Sequence, residues 1–441
     1  MSEQVFIQTY QVLNFLGDGM SLCFNLFMQF GWFILPFLLY KPLKFFYVLY
    51  METKWNISVK KVVLEVRIPQ HVTKPIKAME NIFGAIWPVY DPPKDWRTTF
   101  FEGKTILSLS FELVGIDGIP HFFIRVPEGS RKMVETAIYS QYPDIEIFEV
   151  PDYTQNVPAD MPNKEWDLWG CDFMPLKSDV YPIKTYTDFF EENPEAKDEK
   201  RLDPLASLLE IISTLKKGEQ IWIQITAVPF SVKEDDIVKR GKEIIDHLVK
   251  RTKPKKNENP WPMFLEALSI LITNKGFEKE EEKKEEAFPP EMRLTPGERD
   301  IVAAIERKIS KTFYQTRLRY IYLAKRDVFF GGAKAYGPSF FSQFGTQNLN
   351  GFKPWKETIT KIQAPDIFAK RRLYLKKRNL FYNYVERNSA FDPFPGGTFI
   401  LNSEELATIF HFPGIEVAPT QSLRRIDTKR AAPPMSLPIE E

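Results

Sequence analysis

From Gly19 to Tyr40 the chain carries no charged side chain, and no other feature restricts its folding so strongly. As a helix rising about 1.5 Å per residue, that run is roughly 33 Å long, enough for a hydrocarbon core of about 30 Å. The expectation is a single transmembrane helix within an anchor at residues 19–51, preceded by a short segment, 1–18. Asn25, Gln29 and Pro36 interrupt the run, so a buried or interfacial helix is the competing reading. Trp32, Tyr40, Tyr47 and Tyr50 are of the aromatic kind that settles at membrane interfaces. Glu3 and Asp18 are the charges before the run, whereas Lys41, Lys44, Lys54, Lys60 and Lys61 follow it. The positive-inside rule then places the N-terminus outside and the bulk of the chain in the cytoplasm. A cleaved signal peptide is not expected, because neither a basic leading region nor a small-residue cleavage site is present.

With 441 residues the chain is long enough for two or three domains. Its 44% hydrophobic and 27% charged residues are ordinary for a folded protein and exclude general disorder. Lys plus Arg number 59 and Asp plus Glu 58, so any attraction to nucleic acid or anionic lipid must come from a local patch. Cys23 and Cys171 are too far apart in the chain to suggest a disulfide framework.

Past the anchor, period-two alternation marks a strand at Val62 to Ile68, and Ile76, Met79, Phe83 and Ile86 at helical spacing mark a helix after it. Leu107 to Leu113 and Phe122 to Val126 alternate around a Gly115 to Gly118 turn, as a hairpin does. A helix at Arg131 to Gln141 and a strand at Ile145 to Val150 complete a strand-helix-strand-strand-helix-strand order. That order predicts a ferredoxin-like α+β domain over residues 56–150. Pro151 to Pro162, rich in Pro, Asp and Asn, reads as a linker.

A second ferredoxin-like α+β domain is expected over 163–415. It has a helix from Asp203 to Gly218, a strand through Ile221, Ile223 and Ile225, and a helix through Ile237, Ile244 and Leu248. A capping box at Thr295 to Glu298 opens another helix, and a strand follows at Arg317 to Leu323. Residues 252–294 form an insertion whose Glu278 to Glu286 stretch is only Glu and Lys, so the reading there is a mobile loop. Residues 416–441 are read as a tail.

Chemistry is hard to find. Glu102-Gly103-Lys104-Thr105 resembles the end of a phosphate-binding loop, but Thr98 stands where the first glycine belongs, and Lys104 leads into a strand rather than a helix. His71, His121, His247 and His411 have no second histidine three or four residues away, and neither cysteine belongs to a CxxC pair, so no metal or other cofactor is expected. Asp144, Glu146 and Glu149 read as a solvated face. No enzyme is expected. The strongest charge feature is Lys370, Arg371, Arg372, Lys376, Lys377 and Arg378, on a helix whose Leu373, Leu380, Phe381 and Tyr384 make an apolar stripe. Such a helix suits phosphates, anionic lipid or an acidic partner, and a basic surface helix packed on its own domain is the plainer alternative.

The blocks KPIKAMENIFGAIWPVYDPP, HFFIRVPE, AIYSQYPD, NKEWDLWG, YPIKTY, LTPGERDIVAAIE, FGTQNLNGFKPW and LNSEELATIFHFPG together resemble an uncharacterised bacterial membrane-protein family. Its members precede, or are joined to, ATPases similar to type IV secretion coupling proteins and related hexameric DNA pumps. The resemblance covers most of residues 56–420. In the longer relatives the last of these blocks lies shortly before the motor domain. Here no phosphate loop is found and the chain stops at Glu441, so the resemblance implies the membrane-proximal, non-motor half of a split machine in the bacterial inner membrane. The expected role is a structural subunit that docks or gates a separately encoded coupling-type ATPase. A nucleic-acid- or lipid-binding adaptor using residues 370–378 is the alternative. The partners in view are the lipid bilayer, that hexameric ATPase, DNA and further copies of the chain.

Overall fold

In the computed structural model the described residues are 2–69, 74–189, 203–231, 236–249, 294–362, 368–388 and 396–414, and side chains of the first helix are described at 19–22, 25, 27–29 and from 35 onward. The remainder of the expected insertion and the expected tail lie outside them. The described chain divides into two compact units, one of residues 1–60 with 91–106 and the other of 61–90 with everything from 107.

The first unit is built on α1, Ser2–Ser58, which runs unbroken through Pro36 and Pro42. The 91–106 segment packs on it. Tyr47 stacks on Phe100 at 6.4 Å, and the Lys44 ammonium lies 5.1 Å over the same ring. Gly103 has φ +67, and a Cβ there would sit 2.2 Å from the Met51 carbonyl, so only glycine allows this approach. The membrane-spanning helix expected at 19–51 is not found: among the described residues no helix is long and apolar enough to cross a membrane. Ser21, Asn25 and Gln29 dilute the apolar surface before Pro36, and Lys41 and Lys44 close the run just after Tyr40. Phe37, Leu38, Leu43 and Tyr50 are nonetheless largely exposed along α1.

The second unit departs from the expected pair of ferredoxin-like domains. It is one nine-stranded antiparallel sheet. Lys61–Arg67 (β1), Leu109–Ile116 (β2), Ile119–Pro127 (β3) and Glu146–Val150 (β4) alternate with α2, Lys77–Ile86, and α3, Arg131–Gln141, in the order read from periodicity. Their spatial order is β4-β1-β3-β2. They do not close there, because β2 pairs along its whole length with Glu219–Phe230 (β6). The sheet continues through Phe313–Lys325 (β7), Trp166–Pro175 (β5) and Phe352–Pro354 (β8). Two closed sheets would have left the apolar edges of β2 and β6 unpaired, and merging removes both.

Alternation sorts the side chains onto two faces. Val62, Leu64, Phe111, Leu113, Phe122, Ile124, Ile223 and Tyr320 face a core under α2, α3 and α4, Ala206–Ser213. Val63, Val114, Phe123, Trp222 and Ile321 face a second core. The first core is closed by the last described segment. Phe399–Asn402 (β9) pairs with Phe313–Thr316, the part of β7 that β5 does not reach. The helix after it, Ser403–Ile409, is wholly buried, and Phe410 then inserts between Phe111 and Phe122.

Burying that helix requires its polar groups to be met. Glu405 accepts from the Asn402 and Ile183 amides, both at 2.9 Å, and faces Lys308 at 2.9 Å. Lys308 comes from the helix Pro296–Ile309, whose N-terminus carries the Thr295–Glu298 capping box read from sequence. Both charges are out of water, at 1% and 0% exposure. Replacing one partner strands the other, so Lys308→Met is expected to lower unfolding free energy by about 3–5 kcal/mol in urea titration. A loss under about 1 kcal/mol would mean that the pair is solvated like a surface ion pair.

Candidate docking face

The basic stretch lies on the helix Ala369–Glu386, which covers the second face of the sheet. Four further helices come between α4 and the chain's last helix in the described chain, and in chain order they are Ile237–Leu248 (α5), Pro296–Ile309 (α6), Tyr336–Ser342 (α7) and Ala369–Glu386 (α8), with Ser403–Ile409 as α9. The inner side of α8 is Leu380, Phe381 and Tyr384, packed with Trp222 at ring distances of 6.2 Å from Phe381 and 5.1 Å from Tyr384. Gly170 on β5 permits the close seat, since a Cβ there would fall 2.8 Å from Leu380 Cδ2 and 2.4 Å from the Tyr320 carbonyl.

A buried polar network fixes the C-terminal end of α8. Arg387 follows the helix with φ 60, a left-handed C-cap in a residue other than glycine. Its guanidinium donates to Glu112 at 3.0 and 3.1 Å and to Asp152 at 2.6 and 3.2 Å. Glu112 also accepts from Ser110 (2.6 Å), Gln224 (3.1 Å) and Tyr153 (2.8 Å). Because the Tyr153 proton goes to Glu112, the 2.6 Å contact between Tyr153 and Tyr384 must be donated by Tyr384. Beside it Arg319 donates to Asp172 at 2.5 Å and to the Asn388 carbonyl at 3.0 Å. Burial pushes the Glu112 and Asp152 carboxyls up, but the guanidinium and the other donors outweigh it, and both titrate below the usual carboxylate range.

The outer side of α8 is different. Phe368, Leu375 and Tyr382, seven residues apart, are 65%, 51% and 58% exposed. Leu375 and Tyr382 lie two turns apart on the helix, about 10.5 Å, and Phe368 sits just before its first residue. Lys370, Arg371, Arg372 and Arg378 are exposed, and Lys376 is half-buried. Lys377 is not part of this face: its ammonium turns inward to Asp167 at 2.6 Å. Lys370, seven residues before Lys377, lies on the inward side by the same spacing and is exposed at the helix start, so Arg371, Arg372 and Arg378 are the cations that flank Leu375 and Tyr382.

Glu112, Asp152, Tyr153, Gln224, Tyr384 and Arg387 were not singled out in the sequence. One signal was available, a lone Glu112 inside the otherwise apolar Phe111 to Val114, which a strand buried on both faces must pair. Nothing marks Arg387.

Elsewhere, Lys104 of the incomplete phosphate motif is paired with Asp91 at 2.6 Å. His121 meets Glu65 at 2.8 Å, and His411 bridges the Ala407 carbonyl and Asp203 at 3.0 and 2.9 Å. Glu149 of the acidic group pairs with Arg131. Among the described residues no three His, Cys, Asp or Glu side chains gather to hold a metal ion. A cleft of about 480 Å³ beside α6 is lined by no histidine, cysteine or serine, and two of its charged residues, Lys308 and Glu404, are already paired with Glu405 and Lys311. No protein-family model and no curated protein matches the chain.

Because Glu112 and Asp152 hold depressed pKa values when folded, their ionised forms add stability above the unfolded carboxylate range, near about pH 4. That contribution fades as the pH falls through the folded values. Glu112→Gln is expected to flatten the decline of unfolding free energy between about pH 5 and pH 2, followed by urea titration at each pH. An unchanged slope would remove Glu112 from the acid response.

Proposed function

We propose that this chain is a non-catalytic docking subunit that presents the outer face of α8 to an acidic protein surface, and that the partner is a coupling-type translocation ATPase. The observation that carries the docking role is the exposure of Phe368, Leu375 and Tyr382 together with Arg371, Arg372 and Arg378. Aromatic side chains and arginine dominate the energetics of protein interfaces, and a rigid helix holds them in one register. A phosphate backbone would use the cations and leave the three apolar groups in water. The buried network at Arg387 supports the same reading, since it fixes the end of the helix and hence the direction in which these side chains face. The choice of ATPase rests on the sequence blocks that resemble the family joined to such motors.

Two variants separate the contributions. Leu375→Ser with Tyr382→Ser removes apolar surface, and Gln at positions 370, 371, 372, 376 and 378 removes charge. Each is expected to weaken binding of a coupling-type ATPase supplied in trans at least about tenfold, because losing one central interface residue commonly costs about 2 kcal/mol or more. Duplex DNA and vesicles containing anionic lipid are the controls. Binding of either by the wild-type chain at low salt, lost in the Gln variant and kept in the Ser variant, would assign the face to phosphates instead.

A further inference from the structure

Helix α1 carries a line of apolar side chains on its surface. Leu39, Leu43, Phe46, Tyr50 and Ile57 are between 38% and 80% exposed. Steps of four, three and four residues lead from Leu39 to Tyr50, and seven more reach Ile57. That is the alternation of a heptad seam, in which side chains three and four residues apart share one stripe of the helix. Thr53 fills the remaining position of the stripe, and its hydroxyl donates back to the Leu49 carbonyl at 2.7 Å, so it brings no unmet donor to a contact. The 91–106 segment uses another side. Phe100 lies under the Lys44 ammonium and Gly103 lies against the Met51 carbonyl, and these two residues come one position, about 100°, after Leu43 and Tyr50. By the same spacing Lys41 is opposite the seam.

The composition of the seam selects its occupant. Lys41, Lys44, Glu52 and Lys54 all fall at other positions, so the seam itself is uncharged from Leu39 to Ile57. An identical seam therefore meets it with no like charges in opposition, the self-complementarity that a two-fold contact requires. A helix that lies on lipid needs a broad apolar face, whereas a stripe repeating every three and four residues is the narrower pattern of helix pairing. The area is sufficient. At the observed exposures the five side chains present on the order of 500 Å² per chain, so two copies bury up to about 1,000 Å², the lower bound of specific interfaces. Phe37, Leu38 and Tyr40, all exposed beside Leu39, add to it at one end.

We infer that two copies of this chain pair through α1, with Leu39, Leu43, Phe46, Tyr50 and Ile57 of one packed on the same residues of the other. Sedimentation velocity of the full chain, from nanomolar to tens of micromolar and without lipid or detergent, tests it. The wild type is expected to pass from monomer to dimer within that range. Phe46→Asp with Tyr50→Asp sets like charges against each other at the centre of the seam and is expected to weaken the dimer at least about a hundredfold. Lys41→Asp changes the net charge by the same amount on the opposite side and is expected to leave the dimer constant within about twofold. Leu43→Ser with Ile57→Ser is a milder probe, expected to weaken it at least about tenfold. Both double variants alter side chains that already stand largely in solvent, so a monomer that melts with the Lys41→Asp protein reads the seam rather than the fold. The inference is overturned if either double variant dimerises as well as the wild type. It is overturned equally if the wild type stays monomeric throughout, and flotation of that monomer with zwitterionic vesicles, lost in Phe46→Asp with Tyr50→Asp, would assign the seam to lipid.

Discussion

The ion cluster of Arg387 with Glu112 and Asp152 holds the second face of the sheet together. A guanidinium and two carboxylates removed from water are costly unless every donor and acceptor is met, and here the side chains of Ser110, Tyr153 and Gln224 complete the set around Glu112. The cluster joins three parts of the chain that are remote in sequence: β2, the segment after β4 and the end of α8. Apolar packing alone would let α8 slide along its axis, because Leu380, Phe381 and Tyr384 could meet Trp222 in several registers. Directional bonds to Arg387 select one, and a left-handed cap ends the helix at the same point.

The opposite face uses similar logic with different groups. The helix that closes it, α9, is short and completely buried, and its two carboxylates and Thr408 each meet another part of the chain. Glu405 meets Lys308, Glu404 meets Lys311, the Thr408 hydroxyl receives the Tyr186 amide, and His411 just beyond the helix meets Asp203. Polar groups in a core specify one arrangement more sharply than methyl groups do, because a misplaced carboxylate loses far more than a misplaced leucine.

Local periodicity carried much of the secondary structure, including β1, α2, the β2–β3 hairpin, α3 and the Thr295 capping box. It could not show whether β2 ends a sheet or continues it. Alternation reports which side of a strand is apolar, whereas the partner at its edge depends on residues a hundred positions away, as in the match of Phe111 to Ile225. The length of the uncharged run at 19–40 fits a bilayer span, but length without continuous apolarity is insufficient, and Asn25 and Gln29, with Ser21 beside them, dilute it below what a membrane-crossing helix needs. For the docking face, the cations were visible as a cluster. Their division was not, because Lys377 turns inward only when Asp167 on β5 is brought beneath the helix.

The placement of β9 bears on how the chain is made. Phe399 to Asn402 pair with the first residues of β7, while α7, β8 and α8 are all synthesised between these two strands. A ribosome that has released everything up to α8 has produced a sheet with an unfilled slot beside Phe313 and an open hole where Phe410 belongs. Contacts this distant in sequence form late and slowly, and the apolar surface that awaits them is exposed meanwhile. Until Phe399 to Phe410 emerge, a nascent chain of this topology keeps the apolar surface around Phe111, Phe122 and Phe313 open to water.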